Sequence, residues 1–225
     1  MPQRVAPYII AELGSNPALG KWGELGLFII SAKVCGADAC KIQLFRASHF
    51  PEPEQVSKRA VEFPRERLSY FVEAVHSAGM EAGASVFDFD AIRQAENFDW
   101  LKLAGREQYN VALRLRAIKS GKKIYRSVAD FNELSFWQNE TPLGVVAEYP
   151  ASMGKSLLRV VAWAGIMRSH GIERWGWSSH TKSALDCWAA TKLGASVIEK
   201  HYALSRFDPE AVSYTHLTLP TNREV

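Results

Sequence analysis

Two histidines near the end of the chain, His180 and His201, each close a short apolar run, and one helix-length segment, 182–194, separates the runs. Neighbouring parallel strands joined by one helix would set both imidazoles side by side over one cavity. Such a pair suits a borderline divalent metal whose other positions are filled by water and substrate oxygens. With no third His or Cys beside them, closed structural zinc is disfavoured. Lys41 and Lys102, with the hydroxyls of Ser85 and Ser178, make an anion site, because phosphate wants point charges and donors together. Buried ammonium groups need such an anion to offset their desolvation.

These residues fall at the ends of apolar runs that alternate with amphipathic segments. The pattern predicts strands over 8–14, 40–45, 82–87, 100–104, 123–128, 143–149, 175–180 and 195–201. Helices are predicted over 24–34, 64–78, 88–97, 110–119, 131–137, 155–169 and 182–194, several closed by a glycine. The stretch between Pro51 and Pro64 reads as a loop. Eight βα units argue for a closed (β/α)8 TIM barrel. An open doubly wound sheet is the alternative, disfavoured because no Gly-rich nucleotide loop marks a switch point.

In a barrel, chemistry sits at the carboxyl ends of the strands. Reading those ends gives Glu12; Lys41 and Gln43; Ser85 and Asp88; Lys102, with Glu107 beyond it; Ser127; Glu148 and Tyr149; Ser178 and His180; Glu199 and His201. A lone Lys or Glu at a strand end is ordinarily just solvated, and a lone His is ordinarily structural. Their convergence on one rim makes them a site.

Composition excludes several other classes. A net charge of +3 over 225 residues, with no basic run interleaved with aromatics, gives nucleic acid no footprint. No run approaches the roughly 18 apolar residues of a membrane span, and the amino terminus carries no signal-type apolar region. Cys35, Cys40 and Cys187 are an odd count without C-x-x-C spacing, which predicts free thiols in a reducing compartment, the cytoplasm. The segment 213–221 lacks helical periodicity and reads as a non-native tail. The expected organisation is therefore a barrel domain over 1–212, lacking its last helix, followed by 213–225.

Seven motifs, in order and spacing, resemble the sialic acid synthases over about residues 8–207. They are I-I-A-E-L-G with Asn16 and Gly20, G-A-D-A-C-K-I-Q, A-S-V-F-D, W-L-K-L-A-G-R-E, Tyr149-Pro150, W-S-S-H-T, and G-A-S-V-I-E-K-H-Y. That family condenses phosphoenolpyruvate with an N-acetylated sugar aldehyde. The resemblance implies that His180 and His201 hold manganese, with magnesium as the substitute. It implies that Lys41, Ser85, Lys102 and Ser178 bind the phosphate and carboxylate of phosphoenolpyruvate. Gln43 and Tyr149 would face the sugar, and Glu12 and Glu107 would be the acidic catalytic groups.

The sequence also departs from the family. Asn16-Pro17-Ala18-Leu19-Gly20 replaces N-H-N-G, Gly105 lacks an expected hydroxyl, and Ala147 lacks an expected amide. Ser85 replaces Thr, Ser179 replaces Asp, and Arg126-Ser127-Val128 replaces the S-T-G-M pattern. After Arg206 no sugar-pocket segment is recognisable, and the antifreeze-like domain through which the full-length form reaches across a homodimer is missing.

The expected activity is condensation of phosphoenolpyruvate with an N-acetylmannosamine-like aldehyde, giving a sialic or nonulosonic acid and phosphate. The rival expectations are the same chemistry on a different aldehyde, or a non-catalytic sugar-binding barrel.

Overall fold

The computed structural model describes residues 6–14, 22–132 and 134–204. Asn16, Gly20, the rest of the altered 16–20 segment, Arg206 and the 213–225 tail lie outside the described residues.

Eight parallel strands close into a barrel in chain order. They are β1 (Tyr8–Gly14), β2 (Ala39–Leu44), β3 (Glu81–Val86), β4 (Trp100–Leu103), β5 (Lys123–Val128), β6 (Glu140–Val145), β7 (Gly176–Ser179) and β8 (Val197–His201). The ring shuts where β8 pairs with β1, placing Glu12 beside His201. Around it among the described residues run α1 (Leu25–Val34), α2 (Glu52–Ala60), α3 (Leu68–Ser77), α4 (Phe89–Gln94), α5 (Val111–Lys119), α6 (Met153–Ser169) and α7 (Leu185–Leu193). None is long and apolar enough to cross a membrane.

Side chains alternate across each strand, so one set fills the barrel while the other packs under the helices. The outward set forms the main core with the helices, as where Phe28 of α1, Phe71 of α3 and Trp163 of α6 are buried against the sheet. The inward set builds an apolar floor from Ile10, Ala39, Trp100, Tyr125, Leu143 and Val197. Glycine makes that floor possible. A Cβ at Gly83 would lie 2.1 Å from the Trp100 ring, and one at Gly176 would lie 2.4 Å from the Val197 carbonyl. Above the floor the inward positions turn polar, at the carboxyl end of the strands.

Three sequence expectations are corrected. No helix spans 131–137: the described residues there form bends and irregular chain, with Phe131 and Phe136 packed on Trp163. Their apolar spacing reflects that packing and not a helical face. The sixth strand begins and ends earlier than 143–149, because Ala147, Glu148 and Tyr149 leave the sheet and are exposed. The stretch after Pro51 contains α2, which buries no residue and is polar apart from Pro53, Val56 and Ala60, so no apolar run announces it.

Candidate active site

Alternate inward residues of the strands carry the site: Glu12 on β1, Lys41 and Gln43 on β2, Ser85 on β3, Lys102 on β4, Ser127 on β5, Ser178 on β7, and Glu199 with His201 on β8. Ladder register fixes their mutual heights. Ser85 lies level with Lys102, Ser178 with Glu199, and Glu12 with both Lys41 and His201.

Glu199 is the hub, and sequence reading placed it at a strand end without giving it a role. Its Oε1 accepts from Lys102 Nζ at 2.6 Å, from Ser178 Oγ at 3.4 Å, and lies 3.9 Å from Lys41 Nζ. Lys102 also reaches Ser178 Oγ at 3.4 Å. Lys41 donates to Ser85 Oγ at 2.5 Å and contacts the carboxylate of Glu12. Gln43 Nε2 approaches the other Glu12 oxygen at 3.4 Å. Two ammonium groups and two carboxylates, all nearly inaccessible to solvent, thus interlock inside the barrel.

Burial pushes Lys41 down to about 7, against the pull of Glu199 and with Lys102 adding to the fall. Burial alone would raise the Glu199 carboxyl, but Lys102 and Lys41 together hold it below the usual range. Within the site, Glu199 Oε2 and Ser127 Oγ are two of the buried oxygens with no hydrogen-bond partner among the described residues, while Glu12 Oε2 meets Lys41 as an ion pair. Unsatisfied polar atoms are costly in a finished core and are expected where a ligand completes the arrangement.

The imidazoles form the rim. His180 lies just past the end of β7, and its ring centroid is 5.3 Å from that of His201. Tyr149 stacks on His180 at 4.0 Å and meets His201 edge-on at 5.6 Å. His180 Nδ1 sits 2.8 Å from the Val146 carbonyl oxygen, which puts the proton on Nδ1 and leaves the Nε2 lone pair for a ligand. Burial pushes His180 down to about 4, helped by Lys102, and burial and His180 push His201 down as well. Both rings are therefore neutral near pH 7, the form that ligates metal.

Among the described residues no group of three His, Cys, Asp or Glu side chains could chelate an ion. The donors fit an ion held by two imidazoles and completed by water or substrate oxygens, and do not fit a closed structural site.

The structure thus gathers Glu12, Lys41, Gln43, Ser85, Lys102, Tyr149, Ser178, His180 and His201 at one mouth. Glu107 stands apart from this network. It ends a short 3-10 turn, Gly105–Glu107, and its carboxylate meets Asn110 Nδ2 at 3.0 Å and Arg106 Nε at 3.4 Å.

A closed parallel barrel with a buried charge cluster at its carboxyl end is the framework of a barrel enzyme. The NeuB family model matches residues 28–214, and the chain belongs to the NeuB family. No curated protein sequence matches it. Among solved structures it is similar to an N-acetylneuraminic acid (sialic acid) synthetase from Leptospira borgpetersenii, crystallised with citrate. There the TM-score is 0.84 and the identity 19%, over 94% of this chain and 79% of that one. A spore coat polysaccharide biosynthesis protein from Bacillus subtilis gives 0.77 at 23% identity, over 94% and 64%. A truncated 3-deoxy-D-arabino-heptulosonate 7-phosphate synthase from Thermotoga maritima gives 0.67 at 14%, over 93% and 81%.

Proposed function

We propose that this barrel joins phosphoenolpyruvate to an open-chain N-acetylated sugar aldehyde, N-acetylmannosamine-like, forming a sialic or nonulosonic acid and releasing phosphate. The observation that carries this reading is the buried Lys41–Glu199–Lys102 cluster sharing the carboxyl end of the barrel with the His180–His201 pair.

Lys41 and Lys102, with Ser85 and Ser178, seat the phosphate and carboxylate, and Gln43 and Tyr149 face the sugar. This fixes the methylene carbon of phosphoenolpyruvate over the aldehyde carbon, so that much of the catalysis is positioning. His180 and His201 would hold a divalent ion, manganese or magnesium, which when bound would supply Lewis-acid polarisation of the aldehyde oxygen. The methylene carbon forms the new carbon–carbon bond and the aldehyde oxygen takes up a proton. The enol carbon is left electron-poor, and Glu12 stabilises it electrostatically, whereas Glu107, held by Asn110 and Arg106 apart from the cluster, has no part in this step. Water adds to that carbon and gives up a proton, and the carbon–oxygen bond to phosphate then breaks.

Charge balance adds a constraint. The two ammonium groups are already matched by Glu12 and Glu199, so a multiply charged anion needs further positive charge on entering. Anion and divalent ion should therefore bind cooperatively. Phosphate release from phosphoenolpyruvate, measured over a panel of aldehydes with and without chelator, tests the proposal. Release that ignores chelation would remove the metal, and release with no aldehyde present would remove the condensation.

A second reading keeps the chemistry and changes the acceptor. Ala147, exposed just beyond β6, offers only a methyl where the family offers an amide. A non-acetylated aldehyde preferred in the same panel would favour it.

A further inference from the structure

His201 and His180 reach the same rim by unequal means. His201 belongs to β8 and is held by its ladder to β1, opposite Glu12. His180 follows Ser179, the last residue of β7, where the ladder to β8 ends at the Ser179–Lys200 pair. Beyond that pair no strand ladder holds the backbone of His180, whose carbonyl accepts one hydrogen bond, from Ala151 N at 2.9 Å.

What lies behind it is a second buried cluster, on the outer face of the strands under α7. Lys200, flanked by inward Glu199 and His201, points the opposite way and is completely buried, as is Asp186 in the first turn of α7. Lys200 Nζ donates to Ser179 Oγ at 2.9 Å, to the Thr181 carbonyl, and to Thr181 Oγ1 at 3.5 Å. Asp186 Oδ1 accepts from Ser179 Oγ at 3.0 Å and Thr181 Oγ1 at 2.9 Å, and Oδ2 accepts from Trp177 Nε1 at 2.9 Å. The two charges meet through the hydroxyls of the residues on either side of His180.

We propose that Lys200 and Asp186 are positioning residues that clamp residues 179–181 from behind and so hold the His180 imidazole against the Val146 carbonyl, facing His201. The metal-binding consequence rests on the two-histidine reading of the site. The clamp itself does not. Neither residue reaches the interior of the barrel, so neither touches substrate. Groups that hydrogen-bond a metal-ligating imidazole typically change metal affinity about 10–100-fold when removed; here that partner is the Val146 carbonyl, and the clamp acts by holding the ring against it.

Stability and positioning separate in a pair of variants. Lys200→Met leaves a buried carboxylate without its cation and is expected to lower the melting temperature sharply. Adding Asp186→Asn removes the other charge and is expected to restore most of it. Nitrogen-15 NMR of the imidazoles should show a single Nδ1–H tautomer for His180 in the parent and a mixture in the double variant. Mn2+ titrated with phosphoenolpyruvate present should bind the double variant about 10–100-fold more weakly.

A double variant with restored melting and the parent tautomer would overturn the clamp. A parent that binds no Mn2+ would sink the two-histidine reading, while the tautomer comparison still decides the clamp. Should the double variant not fold, Thr181→Val removes a hydroxyl and no charge. An unchanged tautomer and unchanged Mn2+ affinity in that variant would count equally against the clamp.

Discussion

Inside the barrel, Lys41 and Lys102 face Glu12 and Glu199; on its outer wall, Arg114 of α5 and Arg126 of β5 face Glu140 at the start of β6. Both groups are buried. The outer one is saturated. Arg114 reaches both oxygens of Glu140, at 2.6 and 2.5 Å, and both the hydroxyl and the carbonyl of Ser135. Arg126 adds Glu140 at 3.2 Å and the same carbonyl at 2.6 Å. This network ties Ser135, in the irregular chain before β6, to the barrel. The inner group keeps two oxygens unsatisfied, at Glu199 and Ser127. On the proposed function, that difference in completeness separates a charge cluster that holds the fold from one that a ligand would complete.

Breaking each side of that comparison should give opposite signatures. His180→Ala, above the inner cluster, is expected to cut phosphate release by about a thousandfold, roughly 4 kcal/mol of transition-state stabilisation. Its thermal unfolding should stay close to that of the parent. Turnover by this variant that still responds to chelation would unseat His180.

Glu140→Gln should do the reverse, stranding two guanidinium groups at a cost of about 3–5 kcal/mol in denaturant unfolding. Turnover per folded molecule should be retained. An active-site titration that showed turnover falling in proportion to stability would dissolve the distinction.

The third prediction concerns pH. Burial pushes Lys41 down to about 7, so its ammonium should be present below that pH and lost above it. Affinity for phosphoenolpyruvate should fall by up to about tenfold per unit as pH rises past 7. Calorimetric titration would show that slope, and Lys41→Arg should flatten it.

The smallest effect is expected from Ser127→Ala. Loss of one hydrogen bond to ligand is worth about 1 kcal/mol, or a several-fold weaker affinity. Stability should hold or rise, since a buried hydroxyl without a partner is removed.

The barrel was legible because parallel strands buried on both faces read as apolar runs, and because glycines close α3, α5 and α7. The gathering of His180, His201, Lys41 and Lys102 followed from chain order once strands and helices alternated. What escaped depends on contacts that sequence does not display. Helix α2 buries nothing, and Phe131 and Phe136 mimic a helical face while packing on Trp163. Glu140, Thr141 and Pro142 open β6 without an apolar run, so that strand was placed too late. Glu199 was visible as a charged strand end, but its place between two lysines comes from the β7–β8 register and the curvature of the sheet. The opposite loyalties of Glu199 and Lys200 come from strand alternation alone.

The Trp100 indole, seated in the space left by Gly83 and tied through Nε1 to the Tyr8 hydroxyl, corks the barrel from below. The apolar floor therefore leaves the carboxyl end of the strands as the approach to the polar side chains. Under the proposed condensation, Lys41, level with His201 across Glu12, would hold the anion beside the imidazoles, and the aldehyde would approach both from the mouth of the barrel.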